Sequence, residues 1–382
     1  MSFIACENHY KSNQNELLSA KSSNQNSDTP KPKEYSKSLV NSGSIKIPLD
    51  LETSFYAENI QYIDAEQLLI TLPLSSNTLN IYDLSDVGNK LTKKIKLQTE
   101  GPDSVKGEVG GFYYHNKDSI FVLSKFTFEV FQVDYEGKVK NSYPLLKEFD
   151  PKLPVPLGST FSPIKYINGK LYISCVAPEE QVQGTYENSF IEYDIEKKKT
   201  FFRGVNPDKL NSGNWEGIAR LYYDYNKNED TFVLAFSISD EIVQLKLPSQ
   251  INTYNVKSDY INSEDAKPFS TDFKKAADYL ERGKYSFSTP KYWGILSDWS
   301  NDYYYRIGIQ PNTYADFSKG IFPNTIIMVM DDTFNKILEH EMNPTEYQYD
   351  MSFVGEKGLY IANKEKYNED DNFLTFDIFT IE

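Results

Sequence analysis

The sequence predicts an all-β fold, a six-bladed β-propeller with an N-terminal strand closing the last blade. Three observations carry that reading. A unit of short strands and turns returns six times along the chain. The composition, with 29 Tyr and 24 Phe, favours strands over helices. Finally, an orphan strand near the N-terminus matches a strand missing from the C-terminal unit.

The six units are read at residues 59–84, 111–134, 162–195, 220–247, 295–331 and 351–378. Their second strands start near Gln67, Ser119, Leu171, Phe232, Tyr303 and Leu359. A period of roughly 50 residues or more with about four short strands per unit is the mark of a propeller. A β-sandwich has strands every 8–12 residues but no such super-period, and a Rossmann-like chain would alternate strands with helices. Turn residues fall where hairpins need them: Glu136-Gly137, Asn168-Gly169, Asn226 to Asp230 and Lys357-Gly358. The last unit offers three strands, at 352–354, 359–363 and 373–381. Ser44–Leu49 is the spare one, and Pro48 suits an edge. Pairing the two completes the ring.

One helix is expected, an insertion in the fifth blade at 270–283. Ser270 is its cap, Phe273, Ala276, Ala277 and Leu280 its apolar stripe, and Gly283 its stop. Residues 6–42 are rich in Ser, Asn and Lys and lack a hydrophobic period, so they read as a flexible tether. The propeller is then residues 43–382.

Charge and cysteines bound the function. A net charge of −15 argues against nucleic acid, which needs a basic footprint. No segment after residue 10 has the roughly 20 apolar residues of a membrane-spanning helix. Cys175 lies in a strand-like run and reads as a core residue; Cys6 lies in a different kind of segment, so no disulfide is implied.

Local motifs are sparse. His340, between Glu339 and Glu341, reads as an exposed strand histidine, because alternation points it away from both glutamates. The acidic run 368–372 reads as a solvated loop; it could offer oxygens to Ca²⁺ but lacks the spacing and glycine of a calcium loop. Glu100-Gly101-Pro102-Asp103, followed by Gly107 to Gly111, reads either as a connection between blades or as a loop bringing backbone near a ligand. The most distinctive stretch runs from Trp293 to Ile307. Its Asp298, Trp299, Tyr304 and Arg306, with Glu100, are the candidate ligand-binding residues, since aromatic faces beside Asp and Arg suit a sugar ring. A buried Arg306 paired to a carboxylate or to backbone carbonyls is the competing structural reading.

EGPDS (100–104), DWSNDYYYRIGI (298–309) and SFVGEKGLYIA (352–362) together resemble the TolB-like six-bladed propeller lipoproteins of Bacteroidota, grouped as a domain of unknown function (4221-like). In that family an EGP loop follows the first blade, a D-x5-YYR strand lies in the fifth and GLYI or GLWI in the last. The resemblance spans about residues 44–382 and implies a lipid-anchored envelope protein, with no catalytic residues to carry over. It also gives Phe3-Ile4-Ala5-Cys6 a meaning as a lipobox, with Phe in place of the commoner Leu. Cys6 is then the lipidated residue and residues 1–5 the remnant of a signal peptide whose upstream part lies in the full gene.

The sequence thus points to an outer-membrane-anchored binding or scaffolding module for a glycan, peptide or protein partner. It touches membrane only through its anchor, binds no nucleic acid and needs no cofactor. The alternative is a metal-dependent lactonase or hydrolase with its site at the ring axis. Such ligands come one per blade and leave no local motif.

Overall fold

The computed structural model describes residues 34–382, apart from 75, 86–87, 148–149, 151, 248, 270–274 and 276–277. Strand β1 (Leu39–Pro48) precedes five complete blades. Blade 1 is β2 (Ala57–Ile63), β3 (Leu68–Pro73), β4 (Thr78–Asp83) and β5 (Lys90–Lys96). Blade 2 is β6 (Val109–Asn116), β7 (Ser119–Ser124), β8 (Glu129–Val133) and β9 (Val139–Pro144). Blade 3 has a divided inner strand, β10 (Val155–Leu157) and β11 (Lys165–Ile167), followed by β12 (Lys170–Val176), β13 (Phe190–Asp194) and β14 (Lys199–Arg203). Blade 4 is β15 (Leu221–Asn226), β16 (Thr231–Phe236), β17 (Glu241–Lys246) and β18 (Gln250–Asn255). Blade 5 is β19 (Lys291–Asp298), β20 (Tyr303–Ile309), β21 (Thr325–Asp331) and β22 (Lys336–Met342).

The last blade has the order β1-β25-β24-β23, from β23 (Tyr347–Gly355), β24 (Gly358–Asn363) and β25 (Phe373–Ile381). Strand β1 runs antiparallel to β25 from Leu39↔Ile381 to Pro48↔Phe373, so the two ends of the chain fasten the ring. The tether boundary needs correcting. The strand begins at Leu39 rather than after residue 42, and Tyr35 already donates to the carboxylates of Asp259 and Glu339. Lys37 Nζ lies 3.0 Å from Tyr303 Oη on blade 5. Residues 1–33, with Cys6 and the lipobox-like stretch, lie outside the described residues.

Blades are antiparallel sheets buried on both faces, and this is where the aromatic side chains go. One cluster between blades 1 and 2 holds Ile70, Leu79, Phe112 and Phe131; another, between blades 3 and 4, holds Phe190, Trp215, Tyr223 and Phe232. Twisted sheets radiating from an axis splay apart outward, and large flat rings fill that wedge better than aliphatic side chains. Cys175 is free and buried, and burial pushes its thiol well above the ordinary range.

Two turns show how the sequence encodes the hairpins. Asn168 and Gly169 have φ of 49° and 78°, the pair of positive values a two-residue type I′ turn requires between Ile167 and Lys170. Asn226 Oδ1 accepts from the backbone of Asn228 and Glu229, closing the first turn of blade 4.

The helix α2 (Tyr279–Ser288) follows α1 (Pro178–Gln183) and lies in the connection from β18 to β19. It differs from the expectation. Asp278 caps it, accepting from the backbone of Leu280 and Glu281, and Gly283 lies inside it rather than ending it. A carboxylate facing two free N–H groups is a strong start signal. Much of the expected stripe, with Ser270 as its cap, lies outside the described residues. Two further short α-helices among the described residues are α3 (Tyr314–Phe317) and α4 (Lys364–Glu369).

Candidate ligand site at the channel mouth

The innermost strands of all six blades surround one axis, and the C-terminal ends of those strands line a cavity of about 100 Å³. Asn59, Tyr62 and Asp64 come from blade 1, Phe112 and Tyr113 from blade 2, Thr160 and Lys165 from blade 3. Asp224 comes from blade 4, Ser297 to Ser300 from blade 5, and Ser352 to Gly355 from blade 6. The cavity opens on the face that carries the turns between first and second strands.

A plug closes it from beneath. Between β10 and β11, residues Gly158 to Ile164 leave the sheet, and the ring of buried Phe161 reaches β19 of blade 5. There it rests on Gly294, where an added Cβ would lie 2.5 Å from the ring. Phe161 O accepts from Tyr223 N at 2.9 Å, which fixes the excursion to blade 4. The same excursion accounts for two glycines: a Cβ on Gly158 would sit 2.4 Å from Gly110 O and one on Gly111 3.2 Å from Gly158 Cα, so they let blades 2 and 3 approach. Gly110 and Gly107 are packed instead against Lys125 and Ser124 of blade 2.

The wall is polar and cross-linked. Lys165 Nζ pairs with Asp224 Oδ1 at 2.8 Å, with side chains 17% and 15% exposed. The other oxygen of Asp224 accepts from Ser297 N at 3.0 Å, so one carboxylate joins blades 3, 4 and 5 at the axis. Asp298 is buried; it accepts from Asn301 N and Nδ2 at 3.1 Å and from Tyr305 Oη at 3.3 Å. Burial raises its pKa, and those hydrogen bonds pull the other way. By contrast, the buried hydroxyls of Thr160 and Ser297 have no hydrogen-bond partner. A buried polar atom left unpaired costs about 1–3 kcal/mol, so a partner is worth looking for.

The rim adds a half-exposed indole and a cation. Lys227 Nζ lies 5.0 Å from the centroid of the Trp299 ring, and Asn228 Nδ2 holds Trp299 O at 2.9 Å. Partial burial and then the neighbouring Lys165 lower the pKa of Lys227, against Asp224 and Asp64. His115 faces the same cation, and burial followed by Lys227 lowers its pKa too.

The residues singled out in the sequence divide in two. Asp298 and Trp299 are at the mouth. Glu100 is exposed in the connection after β5, which the strand directions place at the opposite face. Tyr304 is buried between blades 4 and 5, accepting from Asn226 Nδ2 at 2.8 Å and stacking on Phe334 at 4.7 Å. Arg306 is fully buried there as well. Its guanidinium donates to the carbonyls of Phe236, Ser239 and Asp240 and lies 3.5 Å from the Tyr292 ring. It stitches blade 5 to blade 4 and lies outside the cavity lining. Of the other candidates, His340 is half-buried rather than exposed, and its neighbour Glu339 is buried against Lys336. Among the described residues no three His, Cys, Asp or Glu side chains group as metal ligands.

Sequence reading missed Thr160, Lys165, Asp224, Lys227 and Ser297. They fall one or two to a blade, and only stacking the six repeats on the ends of their first strands would have aligned them.

Fold and site together define a six-bladed β-propeller with a plugged axial channel. The chain belongs to the DUF4221 family, a domain of unknown function, whose model matches residues 36–341. It is similar to the crystal structure of a member of that family from Bacteroides vulgatus, with TM-score 0.73 and 20% identity over 92% of this chain and 99% of that one. It is also similar to a protein presumed exported from Bacteroides fragilis, with TM-score 0.56 and 11% identity over 90% of this chain and 95% of that one. Among curated proteins none matches the sequence significantly.

Proposed function

We propose that the protein is a binding module whose channel mouth receives one end of a glycan or peptide, held at the cell envelope by a lipid on Cys6. The observation that carries the binding reading is a polar cavity edged by the half-exposed indole of Trp299, with Lys165, Asp224 and the exposed Asp64 in its lining. Ligand sites of this kind combine an apolar platform with a few convergent polar groups. At about 100 Å³ the cavity is smaller than the ~150 Å³ that encloses a benzene ring, so the ligand's end rests on the rim at Trp299 and its body lies outside. A catalytic metal at the axis is the weaker reading. Asp224 is committed to Lys165, and Asp298 to Asn301 and Tyr305.

Support for the location is of a different kind. The Phe3–Cys6 stretch resembles a lipobox, a structural neighbour is presumed exported, and no helix among the described residues is long and apolar enough to cross a membrane. Two acyl chains on one cysteine would anchor it stably. Expressed from its full gene in the native host, the protein should incorporate an alkyne-tagged fatty acid, and Cys6→Ala should abolish the label. Equal labelling of both forms would remove the anchor from the account. For binding, an array of glycans and peptides should return ligands whose signal falls at least tenfold in Trp299→Ala. Ligands indifferent to that change would move the site elsewhere.

A further inference from the structure

The mouth holds a cation that no carboxylate among the described residues pairs with. Lys227 Nζ forms no ion pair or hydrogen bond among the described residues, and its closest partner is the face of Trp299. Lys165 is near enough to repel it, although Asp224 and Asp64 compensate in part. Asp224 neutralises Lys165, which leaves Lys227 as the cation held against the indole with no carboxylate in ion-pair range among the described residues. Asp64, exposed in the lining, offers acceptor oxygens.

Resting on the binding reading above, we infer that the ligand's terminus is an acidic sugar, a pyranose bearing a carboxylate. Lys227 takes the carboxylate, Trp299 stacks on the apolar face of the ring, which rests on the rim, and Asp64 accepts from one of its hydroxyls. A ring with both a carboxylate and hydroxyls meets the lysine, the indole face and the Asp64 carboxylate together. A peptide C-terminus answers the lysine but offers no hydroxyl-edged ring to stack on Trp299. Neutral sugars answer Trp299 and Asp64 and leave the lysine without its anion.

Calorimetric titration with trigalacturonate, its methyl ester, galactotriose, and one peptide with a free or amidated C-terminus tests this. The expected result is binding of trigalacturonate about tenfold or more tighter than its methyl ester or galactotriose, reflecting a charge-assisted hydrogen bond. Lys227→Met, on an exposed turn, should erase that preference while melting as the wild type does. The preference should also shrink with added salt. Equal affinity for acidic and neutral probes, still lost in Trp299→Ala, would overturn the acidic terminus and leave the binding site standing. A free-carboxylate peptide binding more tightly than every sugar would overturn the sugar. If no probe's binding depends on Trp299, the inference and the binding reading fall together.

Discussion

Arg306 shows how one side chain can look like a ligand contact and be a rivet. Its carbonyl partners lie in the turn between β16 and β17, so the blade 5 strand is pinned to the blade 4 turn through a fully buried cation. Arg306→Met takes the donor from Ser239 O, while Phe236 O keeps Ser239 N and Asp240 O keeps Val256 N, and we expect a loss of about 1–3 kcal/mol in urea unfolding. Affinity at the mouth should be unchanged where the variant is folded. Gly294 makes a second residue-scale prediction. Gly294→Ala drives a methyl into the Phe161 ring and should cost about 1–3 kcal/mol. Combining it with Phe161→Leu should lose less than the sum of the two changes, whereas strict additivity would mean that the ring does not rest there. Lys291 gives a pH dependence. It is buried, donates to Ser286 O, and burial lowers its pKa to about 8. The unfolded chain, with an ordinary lysine near 10.5, therefore holds more protons between those values, and stability due to this residue rises as pH climbs from 8 towards 10.5. The gain is up to about 3 kcal/mol. Lys291→Met should flatten that rise in stability measured against pH; an identical slope would show that the amine is not desolvated.

At the scale of elements, regular parts were legible and interruptions were not. Strand alternation, Asn168-Gly169 and the spare strand ending at Pro48 are local signals that the fold obeys, and they gave the blades and the closure. The excursion from Gly158 to Ile164 was invisible, because Ser162 to Ile167 reads as one continuous strand until Phe161 finds a pocket two blades away. The helix was legible in kind but its stop was not, because Gly283 lies inside α2, which runs on to Ser288. Closure itself is testable. Deleting Leu39–Pro48 uncovers the edge of β25 along nine residues, Phe373–Ile381, and should lower the melting temperature and promote self-association. Restoration by the same strand added as a peptide would confirm the pairing, and an unaltered melt in the deletion would contradict it.

For the whole molecule, a repeated sequence makes a symmetric ring, and function needs that symmetry broken at one place. Six inner strands reach the axis, yet the lysines and the indole come from blades 3, 4 and 5 alone, beside the plug that blade 3 inserts. That asymmetry is why Asp298 and Trp299 stood out in sequence and Asp224 did not. The first pair sits in a dense aromatic stretch, while the second gains its meaning only from Lys165 and Ser297 across two blade gaps. The most direct test is a crystal structure with the tightest-binding glycan from the array. That ligand's terminus is expected at the mouth, stacked on Trp299 with its polar groups on Lys227 and Asp64. A ligand seated on the opposite face, near Glu100, with the mouth holding only water, would contradict it.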